Sequence, residues 1–326
     1  EGKLVFEIIK GYECLRLSII GSKDGQFLDM GYVPADFNTK NYKTIQNKLE
    51  LMEWYRKAEE VGYIAFDTET DSLNAIDANL IGFSMCIRPG EACYVPLKHA
   101  ECETITMKIS GNPNLKHPVL SELGAVLNQD KNLVVNYNPK IDNSRKILEK
   151  VESSGVGVED FEIETYKQLD FEESLVFLKL LLEDEGIIKI LHNMKYDGLV
   201  ISKYKIDIKN YDDTMLISYS LGSGGIRHSL DNLVNTYFNH TAISYKEIVG
   251  TGKKKKIFSE ISIPDATEYA AEDADMTMRL WKFLKPKLSQ NNLMKVYIDI
   301  ERPLARTLIE MEKEGVAIDK NKLKRL

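Results

Sequence analysis

The stretch "YIAFDTET", Tyr63 to Thr70, constrains the fold more than any other part of the chain, because a short apolar run ends in two carboxylates, Asp67 and Glu69, one residue apart. Alternate residues of a strand share a face, so these two acids project together from the strand's end. Half-buried carboxylates are unfavourable unless a donor or a cation compensates them. The pair therefore asks for a partner. A divalent ion is the obvious candidate, and a turn or helix cap is the plainer alternative.

The surrounding pattern frames this strand. Upstream, "YKTIQNKLELMEWYRKAEEV", Tyr42 to Val61, sets Ile45, Leu49, Met52 and Tyr55 at helical spacing before Gly62, which predicts a helix feeding the strand. Downstream, "NLIGFSMCI" and "EACYVPL", separated by "RPG", predict two more strands and an antiparallel meander. After Leu230 helical patterns dominate. A meander followed by alternating strands and helices predicts an α/β fold, a mixed sheet flanked by helices. Residues 1–41 form a lead-in of short apolar runs to which no chemistry is assigned. Residues 101–170, with "KISGNPNLKHP" and "EKVESSGVGVEDFEIETYKQ", read as an insertion, a flexible or partly disordered loop.

Further acids follow comparable elements. In "IIKILHNMKYDGLV" an apolar strand ends at His192, and Asp197 begins the next turn or helix. In "EYAAEDAD" Tyr269 and Asp273 lie four apart, on one helix face. "YNPKIDNSRKIL" repeats the N-x-K-x-D pattern, with Asn138, Lys140 and Asp142 in place of Asn193, Lys195 and Asp197. On pattern alone either segment could supply the third carboxylate. Four acids without a Cys or His cluster suit hard ions such as Mg²⁺ or Mn²⁺ rather than zinc. Two such ions about 3.5–4 Å apart are a common clamp for phosphodiester hydrolysis. Cys14, Cys86, Cys93 and Cys102 show no CxxC spacing and read as free thiols. A formal charge of −7 argues against a broad basic face for duplex nucleic acid but permits a small site built on metal ions. Lys253 to Lys256 are the one concentrated basic run, a solvated loop or a phosphate contact. No run has membrane-spanning length and no signal peptide is visible, so a cytoplasmic protein without membrane contact or small-molecule cofactor is expected. The chain does not begin with Met, and a fragment or processed product is expected.

In that order, "FDTETDSL", "HNMKYD" and "YAAEDAD" resemble the three exonuclease motifs of the DEDD superfamily in its Tyr-bearing form, specifically the proofreading domain of family A (bacterial DNA polymerase I-like) polymerases. The likeness continues through "YDDTMLISYSL", "RHSLDNL" and "EIVGTGK", and "ERPLARTLIEMEKEGVAID" resembles the segment that opens the polymerase domain. The resemblance implies an RNase H-like fold, an exonuclease domain over residues 42–290 and a truncated polymerase start over 291–326, with no polymerase site in this chain. It implies a two-metal 3′→5′ exonuclease that removes deoxynucleoside 5′-monophosphates from the 3′ end of single-stranded DNA in replication and repair, beside the polymerase domain of a parent chain. Asp67, Glu69 and Asp273 would hold one ion. Asp67 and, directly or through water, Asp197 would hold the other; Asp197 is chosen over Asp142 because "NMKYD" matches more fully. Tyr269 would orient the attacking water, with Glu69 assisting. Leu73 would wedge between the last bases and Tyr245 would stack on the terminal base or simply pack in the core. Arg227 and Asn193 would contact the strand's backbone or terminal sugar, with Thr70 and Tyr196 lining the site. His192 stands where the family commonly has Gln. An RNase D-like RNA nuclease and a non-catalytic DNA-binding module are the competing readings.

Overall fold

The computed structural model describes residues 40–222, 226–252, 255–319 and 324, together with the backbone of three strands near the N-terminus. These are β1 (Lys3–Ile8), β2 (Cys14–Ile20) and β3 (Val33–Pro34), paired as an antiparallel sheet. The rest of the lead-in, the Cys14 thiol and Lys253 and Lys254 lie outside the described residues.

The helix expected from Tyr42 starts later. β4 (Asn41–Thr44) runs parallel to the sheet edge, and α1 (Lys48–Val61) begins only after Asn47, whose side chain accepts the Glu50 amide at 3.0 Å. Ile45 is buried beside the strand, and Leu49 is 80% exposed. The buried face of α1 is instead Leu51, Trp54, Tyr55 and Ala58. Gly62 ends the helix in the left-handed conformation that favours glycine. β5 (Tyr63–Thr70), β6 (Leu80–Arg88) and β7 (Glu91–Pro96) then form the expected meander.

Residues 101–170 correct the loop reading. They fold as β8 (Glu103–Ser110), α2 (Pro118–Glu122), β9 (Val126–Leu127), β10 (Leu133–Tyr137), α3 (Ser144–Ser153) and β11 (Gly157–Thr165). The strands make an antiparallel sheet in the order β11-β8-β10-β9 over a separate apolar cluster that includes Ile105, Met107, Leu133, Val135, Ile147 and Val151. Most residues of β11 are exposed, so its acids hide the strand pattern from a compositional reading.

The chain returns through α4 (Phe171–Glu183) to β12 (Ile188–Leu191), which inserts parallel to β5, then α5 (Met194–Ser202) and β13 (Tyr211–Asp213). The main sheet is ordered β13-β12-β5-β6-β7-β4. Next come α6 (Thr214–Leu221), α7 (Leu230–Phe238), α8 (Tyr245–Val249) and the long α9 (Ile263–Gln290). Alternation on β5 divides the core. Ile64 and Phe66 pack with Trp54 of α1, Phe177 of α4 and Leu199 of α5, while Ala65 meets Ala271 and Ala274 of α9. Small residues on both sides let α9 lie close to the sheet. A short α10 (Met294–Val296) and a π-turn (Tyr297–Glu301) lead into α11 (Arg302–Glu314), whose Ala305 and Ile309 join the main core. Cys86, Cys93 and Cys102 are buried and free. No described helix is long and apolar enough to cross a membrane.

One position tests the packing under the strand end. Gly82 of β6 pairs with Glu69, and a Cβ there would collide with the hydroxyl edge of the fully buried Tyr94 ring. That ring is held by a 2.6 Å hydrogen bond to His99 and cannot swing aside. Gly82→Ala is expected to destabilise the protein by about 2–3 kcal/mol, read as a lower urea midpoint.

Candidate metal centre

The period of two on β5 puts Ala65, Asp67 and Glu69 on the side that faces α9, where Asp273 lies one turn beyond Tyr269. One carboxylate oxygen from each of Asp67, Glu69 and Asp273 lies within 4.8 Å of the others. The β5–β6 ladder slips by one residue between Glu69 and Thr70, a bulge that ends regular pairing at the site. Asp197, from the first turn of α5, accepts the Thr68 amide at 3.1 Å and its hydroxyl at 2.6 Å. The residue between the two strand acids thus anchors the acid borne on α5. Asp197 is not part of the trio but is near enough to Asp67 for the two charges to repel.

Burial raises all four carboxylates, and repulsion among them raises Glu69, Asp197 and Asp273 further. Burial pushes Asp67 up to about 7. Burial, then the charges of Asp67, Asp273 and Asp197, pushes Glu69 well above the usual carboxylate range. Asp197 and Asp273 are raised likewise, first by burial and then by Asp67. Glu69 Oε1 is buried without a hydrogen-bond partner. An all-oxygen donor set with an orphaned carboxylate oxygen and mutual repulsion fits a hard divalent cation. Burial, then Asp273, Glu69 and Asp67, drives the Tyr269 phenol far above its ordinary value, so it remains a proton donor at any working pH.

The residues expected from the sequence to contact substrate have the following surroundings. The hydroxyls of Thr70 and Tyr196 lie within hydrogen-bond distance of each other and of the Ser72 carbonyl, and their two protons are shared among these contacts, clamping the turn after β5. That turn displays Leu73, which is 85% exposed. Tyr245 is half-buried. Its ring stacks on Phe258 at 6.4 Å and meets Tyr269 edge-on at 6.3 Å, forming an aromatic wall beside the phenol. Asn193 caps α5 in the left-handed region, with φ of 71°, where asparagine is tolerated, and its amide donates to Asp213. Arg227 lies exposed between α6 and α7. Burial lowers His192 to about 4, so it is neutral, and its Nδ1 lies 2.8 Å from the Thr214 hydroxyl.

The two N-x-K-x-D segments part company here. Asp142 sits just before α3, between β10 and β11, 2.7 Å from Lys150 and 3.9 Å from Lys146, and these lysines hold it below its usual value. Asp197 stands among acids. Sequence reasoning missed three supports of the site. Thr68 holds Asp197. Asp213 accepts the amides of Asn193, Met194, Met215 and Leu216, tying the start of α5 to that of α6; an Asp before an apolar helical run in "YDDTML" was the available signal. Gly82 lets Tyr94 pass beneath Glu69, and a glycine inside an apolar strand signals such a close approach.

Comparison with known proteins places these features. The family described as the 3′-5′ exonuclease of DNA polymerase A matches residues 42–153 and 146–289. DNA polymerase I of Rhizobium leguminosarum is 36% identical over 304 residues, which cover 90% of this chain and 25% of that protein. DNA polymerase I of Pseudomonas aeruginosa is 32% identical over 287 residues, covering 87% of this chain and 25% of that protein. The chain thus spans about a quarter of the length of these relatives. Among solved structures, the POL domain of Pol1 from M. smegmatis in complex with DNA primer-template and dNTP superposes with a TM-score of 0.54 at 15% identity, over 87% of this chain and 34% of that one, a likeness of fold.

Proposed function

Because the chain belongs to the 3′-5′ exonuclease family of DNA polymerase A, we propose that its carboxylate centre hydrolyses the terminal phosphodiester of single-stranded DNA and releases deoxynucleoside 5′-monophosphates from the 3′ end. The observation that carries this is the convergence of Asp67, Glu69 and Asp273 within 4.8 Å, with Asp197 held on Thr68 beside them. The parent protein is a DNA polymerase I-like enzyme of replication and repair in the cytoplasm. Residues 42–290 form its editing domain, and 291–326 open its polymerase domain.

Asp67, Glu69 and Asp273 would hold one divalent ion and Asp67 with Asp197 a second, Mg²⁺ and Mn²⁺ being the ions suited to such oxygen ligands. When bound, such ions acidify water and offset charge on the phosphate oxygens. The side chains do the rest. Tyr269, kept protonated, is a fixed donor that orients the attacking water, and the free oxygen of Glu69 is the acceptor on the same face. Leu73, raised on the Thr70–Tyr196–Ser72 clamp, wedges between the last bases. Tyr245 presents an aromatic surface for the terminal base, a contact worth about 1–3 kcal/mol and indifferent to sequence. Asn193 and Arg227 contact the sugar and backbone.

The test is release of mononucleotides from a 3′-labelled single-stranded oligonucleotide with Mg²⁺ or Mn²⁺, with DNA and RNA of one sequence compared. Native protein and Asp142→Ala are expected to degrade DNA at similar rates, whereas Asp197→Ala is expected to lose about 10²-fold or more. Binding without cutting by the native protein, or faster cutting of RNA, would sink the proposal.

A further inference from the structure

α5 lies between the end of β5 and α11. On one side Asp197 is bonded to Thr68. On the other, the next residue is Gly198, where a Cβ would come 2.6 Å from Ile309 Cδ1. Glycine inside a helix is unfavourable by about 1 kcal/mol relative to alanine, so its presence here asks for a packing reason. Ile309 supplies one. It is 6% exposed and belongs to the same apolar cluster as Met194, Leu199 and Ile201. The contact is braced at both ends of α5. Lys195 pairs with Glu312 at 2.6 Å, and Arg306 reaches Asp207 at 3.2 Å and the Ile208 carbonyl in the loop that follows the helix.

We propose that α11 is a positioning element of the metal centre: Ile309, seated in the notch at Gly198, fixes how far α5 lies toward β5 and hence where Asp197 stands relative to Asp67. The inference rests on Asp197 being a metal ligand. Adjacent residues of one helical turn move together, so displacement at Gly198 is displacement at Asp197. Ligand constellations tolerate only about 0.5 Å of misplacement. The segment that leads out of the nuclease fold therefore bears on its chemistry. A change in how α11 is held reaches the site through Ile309 and the pairs that brace it.

The experiment measures Mn²⁺ binding by calorimetry, together with kcat and KM for single-stranded DNA, on the full chain. Ile309→Ala is expected to weaken Mn²⁺ binding and lower kcat by about tenfold, the scale seen when outer supports of ligands are lost, with KM for DNA changed less than about twofold. Gly198→Ala should act in the same direction but more weakly, because the new methyl meets the movable Cδ1 end of Ile309, which takes up part of the clash. The double variant Gly198→Ala/Ile309→Ala, in which the new methyl enters the emptied space, should recover to within about threefold of native, a reciprocal coupling expected only of side chains in contact. Ile309→Val, mild enough to leave folding intact, should weaken binding by about two- to threefold. Unchanged Mn²⁺ binding in folded Ile309→Ala or Ile309→Val, or a double variant worse than either single one, overturns the proposal. If the native protein binds no Mn²⁺, the metal-centre reading falls and takes this one with it. If the native protein binds and cuts while the variants match it, only the role of α11 falls.

Discussion

Asp67→Ala is expected to lower mononucleotide release by about 10³-fold or more and, at the same time, to raise the melting temperature of the metal-free protein. Asp67 would serve both ions, so its loss removes a ligand from each. It is also the one acid whose charge raises all the others. Glu69, Asp197, Asp273 and Tyr269 are each pushed up in part by it. Without metal that repulsion works against the fold, and its removal should outweigh the small cavity left behind. A rise of about 1–2 °C, equivalent to roughly 1 kcal/mol in a chain of 326 residues, is the expected scale in scanning calorimetry with chelator above neutral pH. A lowered melting temperature would show that Asp67 is held by something other than repelling acids, and retained cutting would remove it from the mechanism.

The second large effect is a pair of opposed pH trends. In the unfolded chain an aspartate titrates near 4, whereas Asp67 in the fold titrates at about 7, and Glu69, Asp197 and Asp273 are raised with it. A carboxyl raised on folding contributes stability that is fully present below its unfolded value and is lost as pH climbs through the folded one. The metal-free protein should therefore melt at progressively lower temperature from about pH 5 to pH 8. Metal binding needs the ionised acids and so runs the other way. Mn²⁺ affinity should rise by about tenfold per pH unit for each proton displaced, and the stabilisation by added Mn²⁺ should grow over the same window. Thermal melts with chelator and with Mn²⁺, taken across this range, check both trends. A flat metal-free curve would mean that the acids are not desolvated in solution.

Much of the centre was legible because its signals are local. Asp67 and Glu69 share a strand face, and Tyr269 and Asp273 share a helix face, whatever the rest of the chain does. Where sequence reading failed, the deciding partner was distant. Ile45 has helical spacing to Leu49, but the segment before it is a strand because β7 is there to pair with it. β11 looked like a loop because its acids face solvent, and only pairing with β8 makes it a strand. Asp142 and Asp197 have the same local pattern and opposite surroundings, lysines around one and acids around the other. Tyr245 likewise needed the fold, since it both packs on Phe258 and walls the site.

The sheet of β8 to β11 also bears on how the chain finds its fold. Parallel pairing of β5 with β12 must bring together segments separated by the whole of residues 71–187, and closing so long a loop is entropically unfavourable. Yet the first residue of β8, Glu103, lies opposite the last residue of β11, Thr165. Once this segment has collapsed on its own apolar cluster, its two ends leave side by side, like the feet of a hairpin. To the main sheet the remaining gap is then that of a chain about half as long. Each halving of a flexible loop recovers about 0.6 kcal/mol of closure entropy, so a β8–β11 unit that folds first shortens the search for the pairing that carries Asp67 to Asp197.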